Sequence, residues 1–78
     1  MNYNDYLNKQ AEKIAQICKE GAATQEIESK ISNGLQGSFI MSQIREEITH
    51  AINTGKIVKA GTKVVNEWGT QMWVYKAA

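Results

Sequence analysis

His50 is the single histidine of this 78-residue chain, and Glu46 and Glu47 precede it by four and three residues. On a helix this spacing places a carboxylate beside the imidazole, which suits proton transfer and equally suits an ordinary ion pair. The ion pair needs no catalytic purpose, and we find no catalytic constellation around this histidine in the sequence. We therefore expect His50 to have no catalytic role.

The single cysteine, Cys18, is the other candidate for chemistry. It follows Ile14 by four residues on an apolar stripe, where a small buried side chain is the usual role, and no base is paired with it. One cysteine forms no internal disulfide, and no Cys/His cluster has the spacing of a metal site. The glycines of SNGLQG, at 32–37, lack the GK[ST] ending of a triphosphate-binding loop. The sequence therefore predicts neither an enzyme nor a bound metal or cofactor.

Charge is balanced overall but unevenly distributed. The formal net charge is +1, which is too small for a histone-like arm or an acidic tail. Residues 1–48 contain five basic and seven acidic side chains, whereas residues 49–78 contain four basic and one acidic. The N-terminal sequence is polar and no apolar run is long enough to span a bilayer, so we expect no signal peptide and a cytoplasmic location. The length predicts one small domain over 1–78.

Apolar spacing predicts two helices in the first half of the chain. The first, about 4–20, has Asn4 or Asp5 as its N-cap and Gly21 just beyond its end. The second, about 24–32, begins at Thr24 as its N-cap. Their predicted core residues recur at helical spacing: Leu7, Ala11, Ile14 and Cys18 on the first helix, and Ile27 and Ile31 on the second.

A turn and a third helix follow, and the helical spacing of apolar residues then ends. SNGLQG favours a chain reversal, from which Leu35 is expected to enter the core. The third helix, about 38–54, is predicted from isoleucines four residues apart and ends at Gly55. Residues about 56–76 are rich in β-branched and aromatic types around NEWG, which predicts a β-hairpin. Trp73 and Tyr75 alternate with Met72 and Val74, so one pair is expected to cover the helices.

The order of helix, short helix, turn, longer helix and hairpin resembles a winged helix-turn-helix domain. AINTGKIVKAG, at the junction of the third helix and the hairpin, is similar to the family's pattern of a small residue, Gly, a charged residue and Ile, and the chain ends in the aromatic strand MWVY. The resemblance covers nearly the whole chain and implies an α+β fold in which the C-terminal hairpin is the wing. Winged helices bind DNA, RNA or protein, so the fold by itself does not select the partner.

The resemblance implies that the third helix enters the major groove of double-stranded DNA while the hairpin contacts phosphate or the minor groove. A helical projection places Phe39, Ser42, Gln43, Glu46, Thr49, His50 and Asn53 outward, with Arg45 on the flank. The wing lysines have a second interpretation, because lysine on an exposed strand also discourages edge-to-edge pairing. The residues expected to contact DNA are Ser38, Ser42, Gln43, Arg45, Thr49, Lys56, Lys59 and Lys63.

Two carboxylates on the third helix oppose phosphate binding and support an alternative. In it, a protein-binding surface is formed by Phe39, Glu46, Glu47 and Trp68. The chain is also similar to small accessory winged helices of phages and mobile elements, which regulate genes or block a host protein. A homodimer that binds a repeated DNA half-site is also expected, through Tyr3 and Tyr6 ahead of Leu7.

Overall fold

Three helices precede a C-terminal β-hairpin in the computed structural model, which describes residues 2–35 and 37–78; position 36 of the predicted turn lies outside them. This order confirms the predicted α+β class and is consistent with a winged-helix layout. A short strand between the first two helices joins the hairpin in one sheet. The elements are α1 (Tyr3–Ile17), β1 (Ala22–Ala23), α2 (Thr24–Ser32), α3 (Ser38–Asn53), β2 (Ile57–Val64) and β3 (Gln71–Ala77).

The N-cap of α1 is Asn2, whose side chain accepts a hydrogen bond of 2.8 Å from the backbone N–H of Asp5. The prediction of Asn4 or Asp5 as the cap was wrong, because Asn2 is already extended and offers the same acceptor two residues earlier. The helix also ends at Ile17, three residues before the predicted end. A turn over Cys18–Glu20 leads to Gly21, which has a φ of +98°.

The N-cap of α2 is Ala23, not Thr24 as predicted, because Ala22 and Ala23 are extended in β1. Alanine has no side-chain acceptor, so the capping hydrogen bond joins the backbone of Ala23 to a side chain of the first turn of α2 instead. A carboxylate oxygen of Glu26 accepts from the backbone N–H of Ala23 at 3.3 Å. Ala23 is therefore both the last residue of β1 and the N-cap of α2.

The sheet is antiparallel in the order β1-β3-β2. The sequence did not predict β1, since two alanines carry no alternation that distinguishes a strand. In the register, Ala22 lies opposite Tyr75 and Lys59 lies opposite the same residue on the other side. A bulge between Lys59 and Thr62 contains Gly61, whose φ of +122° disfavours other residue types.

The core lies between the helices and one face of the sheet. Cys18 is fully buried, as predicted. Tyr75 is buried, Trp73 is half exposed, and Met72 and Val74 are partly buried, so neither of the two alternating pairs of β3 is buried as a whole. Leu35 is 63% exposed, so its predicted place in the core was wrong; the turn carries it past the end of α2. The main core residues are Ala11, Ile14, Cys18, Ala22, Ile27, Ile44, Ile48, Ala51, Ile57 and Tyr75.

Candidate functional site

The outer surface of α3 carries one continuous polar stripe. Its members are spaced four, three, four and four residues apart, which at roughly 100° per residue keeps them on one side of the helix. All are exposed: Ser38, Ser42, Arg45, Thr49 and Asn53. The first four are the predicted DNA-contacting residues of α3 other than Gln43, and Asn53 was predicted only to face outward. We call this row the α3 stripe.

The exposed face of α3 is turned from its predicted direction toward Arg45. Gln43 and His50, both placed outward by the sequence, are only partly exposed because they contact α1. The amide nitrogen of Gln43 donates to the Tyr3 hydroxyl at 3.1 Å, and His50 Nε2 lies 2.7 Å from Asn8 Oδ1. The prediction that Gln43 and His50 face outward was therefore only partly correct. The imidazole hydrogen-bonds Asn8, in place of the ion pair with the preceding glutamates that the spacing allowed.

Glu47 is 1% exposed, so its predicted place on a protein-binding surface was wrong. Its Oε1 accepts hydrogen bonds from Gln10 Nε2 at 2.6 Å and from the Tyr6 hydroxyl at 3.2 Å. Partial burial raises the pKa of Tyr6, and the nearby Glu47 carboxylate raises it further. These bonds connect α1 to α3, while the adjacent Glu46 remains exposed on the outer surface.

Arg45 lies on the α3 stripe and approaches α2. Its Nε is 3.5 Å from Oε2 of Glu28, whose side chain is largely buried. Thr49, one turn later, donates its hydroxyl to the carbonyl of Arg45 at 2.8 Å. That bond uses the hydroxyl proton, so the Thr49 oxygen is left to accept hydrogen bonds from outside the protein.

The three predicted wing lysines are exposed but have different surroundings. Lys59 Nζ lies 4.5 Å from the centroid of the Trp73 ring, a cation–π distance. Lys63 donates to a carboxylate oxygen of Glu26, and this hydrogen bond holds the pKa of Glu26 below its ordinary value. Neither a hydrogen bond nor an ion pair involves the Lys56 side chain within the described part of the chain.

Two large aromatic side chains are exposed, one on α3 and one in the hairpin turn. Phe39 is 86% exposed in the first turn of α3, and Trp68 is 81% exposed in the turn of the hairpin. Asn66 stabilises that turn by accepting, through Oδ1, the backbone N–H of Trp68 at 3.0 Å. A groove of about 240 Å³ next to Phe39 is lined by Leu35 and Tyr6, with Glu47 among its lining residues. No sequence pattern predicted that Leu35 belongs to this groove.

No helix in residues 2–35 and 37–78 is both long and apolar enough to cross a membrane. Within the same ranges, no three His, Cys, Asp or Glu side chains are grouped to hold a metal ion. The candidate features are therefore the exposed polar side chains of the α3 stripe and the exposed lysines and Trp68 of the hairpin. Comparison with known proteins finds no matching family model, curated protein or solved structure.

Proposed function

We propose that the protein binds double-stranded DNA in a sequence-directed way and acts as a small transcriptional regulator without enzymatic activity. The α3 stripe carries this proposal, because five polar side chains in a row on one helix are exposed. A helix of this kind fits the major groove, where serine, threonine, asparagine and arginine hydrogen-bond base edges. In this arrangement α1 and α2 support α3 from behind.

The beginning of α3 supports phosphate binding beside the bases. Gly37 is its N-cap, and among residues 2–35 and 37–78 no side chain makes a capping hydrogen bond to the first turn. Uncapped backbone N–H groups at a helix N-terminus attract anions through their donors and through the helix dipole. The exposed Ser38 hydroxyl adds a donor at the same position.

In this proposal the wing supplies cations that contact the same duplex. Lys56 and Lys59 are exposed and unpaired with carboxylates in the described ranges, so both are placed to approach phosphate. Lys63 must exchange Glu26 for phosphate, so we expect it to contribute less than either. Glu46 opposes phosphate from the outer surface of α3, and a small number of lysine contacts predicts weak non-specific binding.

The experiment is fluorescence anisotropy of a labelled random-sequence duplex titrated with the protein at about 50 and 200 mM salt. We expect micromolar, salt-sensitive binding. Lys59→Ala should reduce the slope of log affinity against log salt by about 1. The matched control is Lys13→Ala, which removes an exposed lysine from the side of α1 opposite its buried residues. Absence of binding at low salt, or equal slopes for both variants, would refute DNA contact by the wing.

A protein partner is the second candidate, favoured by the exposure of Phe39 and Trp68. Aromatic side chains of this size carry much of the binding energy at protein interfaces. In this alternative the chain is a phage or mobile-element module that modulates a host protein. A host protein retained at high salt by the wild-type chain and lost with Phe39→Ala or Trp68→Ala would favour it. The same variants should leave the salt slope for DNA unchanged.

We further propose a homodimer through the N-terminal part of α1. Tyr3 and Tyr6 are exposed, and their rings stack with centroids 6.1 Å apart, which presents a flat apolar surface. Two copies would contact two half-sites and supply affinity that one short helix lacks. Sedimentation that finds only an 8.7 kDa species at working concentration would contradict the dimer.

A further inference from the structure

The carboxylate of Glu28, on α2, faces α3 and has a buried oxygen atom without a hydrogen bond to any described residue. Its Oε2 is buried, and within the described ranges it has no hydrogen-bond partner. Within those ranges, the cation that pairs with Glu28 is Arg45, whose Nε lies 3.5 Å from Oε2. A buried carboxylate oxygen is costly unless an opposite charge lies near it, so Glu28 favours arginine conformations that keep the guanidinium close.

The two members of this pair differ sharply in exposure. The Glu28 side chain is 12% exposed, whereas the Arg45 side chain is 72% exposed. Glu28 is therefore fixed within the fold, while most of the arginine extends into solvent from the α3 stripe. The contact is made by Nε, on the side edge of the guanidinium plane. Its two terminal nitrogens, Nη1 and Nη2, form the fork that binds guanine O6 and N7 together.

We propose that Glu28 is a positioning residue that holds the Arg45 guanidinium for recognition of a guanine in the major groove. The contact at Nε restricts rotation of the side chain and leaves the terminal fork facing outward. Without it, a flexible arginine must be ordered when DNA binds, and this ordering lowers affinity only where the arginine engages its base. The inference rests on the proposed DNA-binding function.

The test starts from the duplex that the wild-type protein selects from a random pool. Each guanine is replaced by adenine in turn, and anisotropy gives the ratio of affinities for the two duplexes. We expect one guanine to be preferred by about 5- to 150-fold, and Arg45→Ala to abolish that preference. Glu28→Gln should lower it by about threefold to tenfold, the effect of ordering one long side chain.

Glu46→Gln is the matched control, because it removes an exposed negative charge from α3 without removing the carboxylate beside Arg45 Nε. We expect it to strengthen binding to both duplexes and to leave their ratio unchanged. Since each ratio is measured within one variant, differences in folded fraction cancel. Adding Glu28→Gln to Arg45→Ala should cause no further change in the ratio, because a positioning residue acts only through the arginine.

The outcomes separate the inference from the function on which it rests. If Arg45→Ala abolishes the guanine preference and Glu28→Gln leaves it at the wild-type value, the positioning role is refuted and DNA binding stands. An equal loss of preference in Glu28→Gln and Glu46→Gln would also refute it, since charge alone would explain the result. If no duplex is bound or Arg45→Ala changes no ratio, the proposed base contact and this inference both fail.

Discussion

Replacing Glu47 with alanine should destabilise the fold, whereas the same change at the adjacent Glu46 should not. Glu47 is buried, and its Oε1 accepts both Gln10 Nε2 and the Tyr6 hydroxyl. Alanine removes this acceptor and the connection that it makes between α1 and α3. Glu46 is exposed, so the two variants remove equal charge from neighbouring positions of one helix and differ in burial.

The expected magnitude follows from the two hydrogen bonds. A hydrogen bond to a charged group contributes about 1.5–3 kcal/mol, so losing both sets an upper limit near 6 kcal/mol. Two effects reduce it: the variant no longer buries a carboxylate, and the partly exposed Tyr6 hydroxyl regains water. We therefore expect Glu47→Ala to lower the free energy of unfolding by about 2 kcal/mol, or about 8–16 °C in Tm for a domain of this size. Glu46→Ala should change it by less than about 0.5 kcal/mol.

Urea and thermal unfolding followed by circular dichroism measure both variants against the wild type. Glu47→Gln adds a finer test, since its amide oxygen can accept from the same two donors without the charge, and should cost about 1 kcal/mol. The order of stability should be wild type and Glu46→Ala, then Glu47→Gln, then Glu47→Ala. Equal unfolding midpoints for the two alanine variants would refute the buried role of Glu47.

Three further predictions concern single side chains. Burial raises the pKa of Cys18, so iodoacetamide at about pH 8 should alkylate the native protein far more slowly than the urea-unfolded protein; equal rates by mass spectrometry would contradict this. Lys63→Ala should raise the pKa of Glu26 toward its ordinary value, measured by carboxyl carbon NMR, because the Lys63 hydrogen bond is the main cause of its lowering. Because the pKa of Glu26 is lower in the folded than in the unfolded protein, the Lys63–Glu26 pair adds to the free energy of unfolding above the unfolded-state pKa, and this contribution is lost as the pH falls through the folded-state pKa. If the free energies of unfolding of the wild type and of Lys63→Ala change with pH in the same way across that interval, the prediction is wrong. Gly61→Ala should cost about 1–3 kcal/mol through its φ of +122° alone, since open space surrounds the added methyl group, and an unchanged urea midpoint would show that β2 tolerates a side chain there.

Much of the fold could be predicted because its determinants are local. Ile40, Ile44 and Ile48 repeat at the helical period, and the change to β-branched residues after Gly55 marks the hairpin. Short elements were harder to predict. The two alanines of β1 form a strand only because β3 lies beside them, and pairing with β3 also makes Ala23 the N-cap of α2.

The candidate site was predicted in part. Ser38, Ser42 and Thr49 lie on the exposed stripe of α3 as expected. The isoleucines four residues apart were taken as the core side of α3, but Ile52 is only partly buried and Glu47 is buried. The exposed face is therefore turned toward Arg45 and away from Gln43. Glu28 was not predicted at all, because a charge in the middle of a short helix has no sequence signal that distinguishes a buried carboxylate from a solvated one.

By itself the sequence determined which segments are helical, where the hairpin begins and that α3 has a polar outer face. These properties follow from periodicity and turn chemistry within one segment. The tertiary structure alone decided that Glu47 is buried while Glu46 is exposed, that Lys63 contacts Glu26 and that Arg45 lies beside Glu28. Each of these depends on which element packs alongside, because burial and pairing are properties of two segments brought together and not of either one alone.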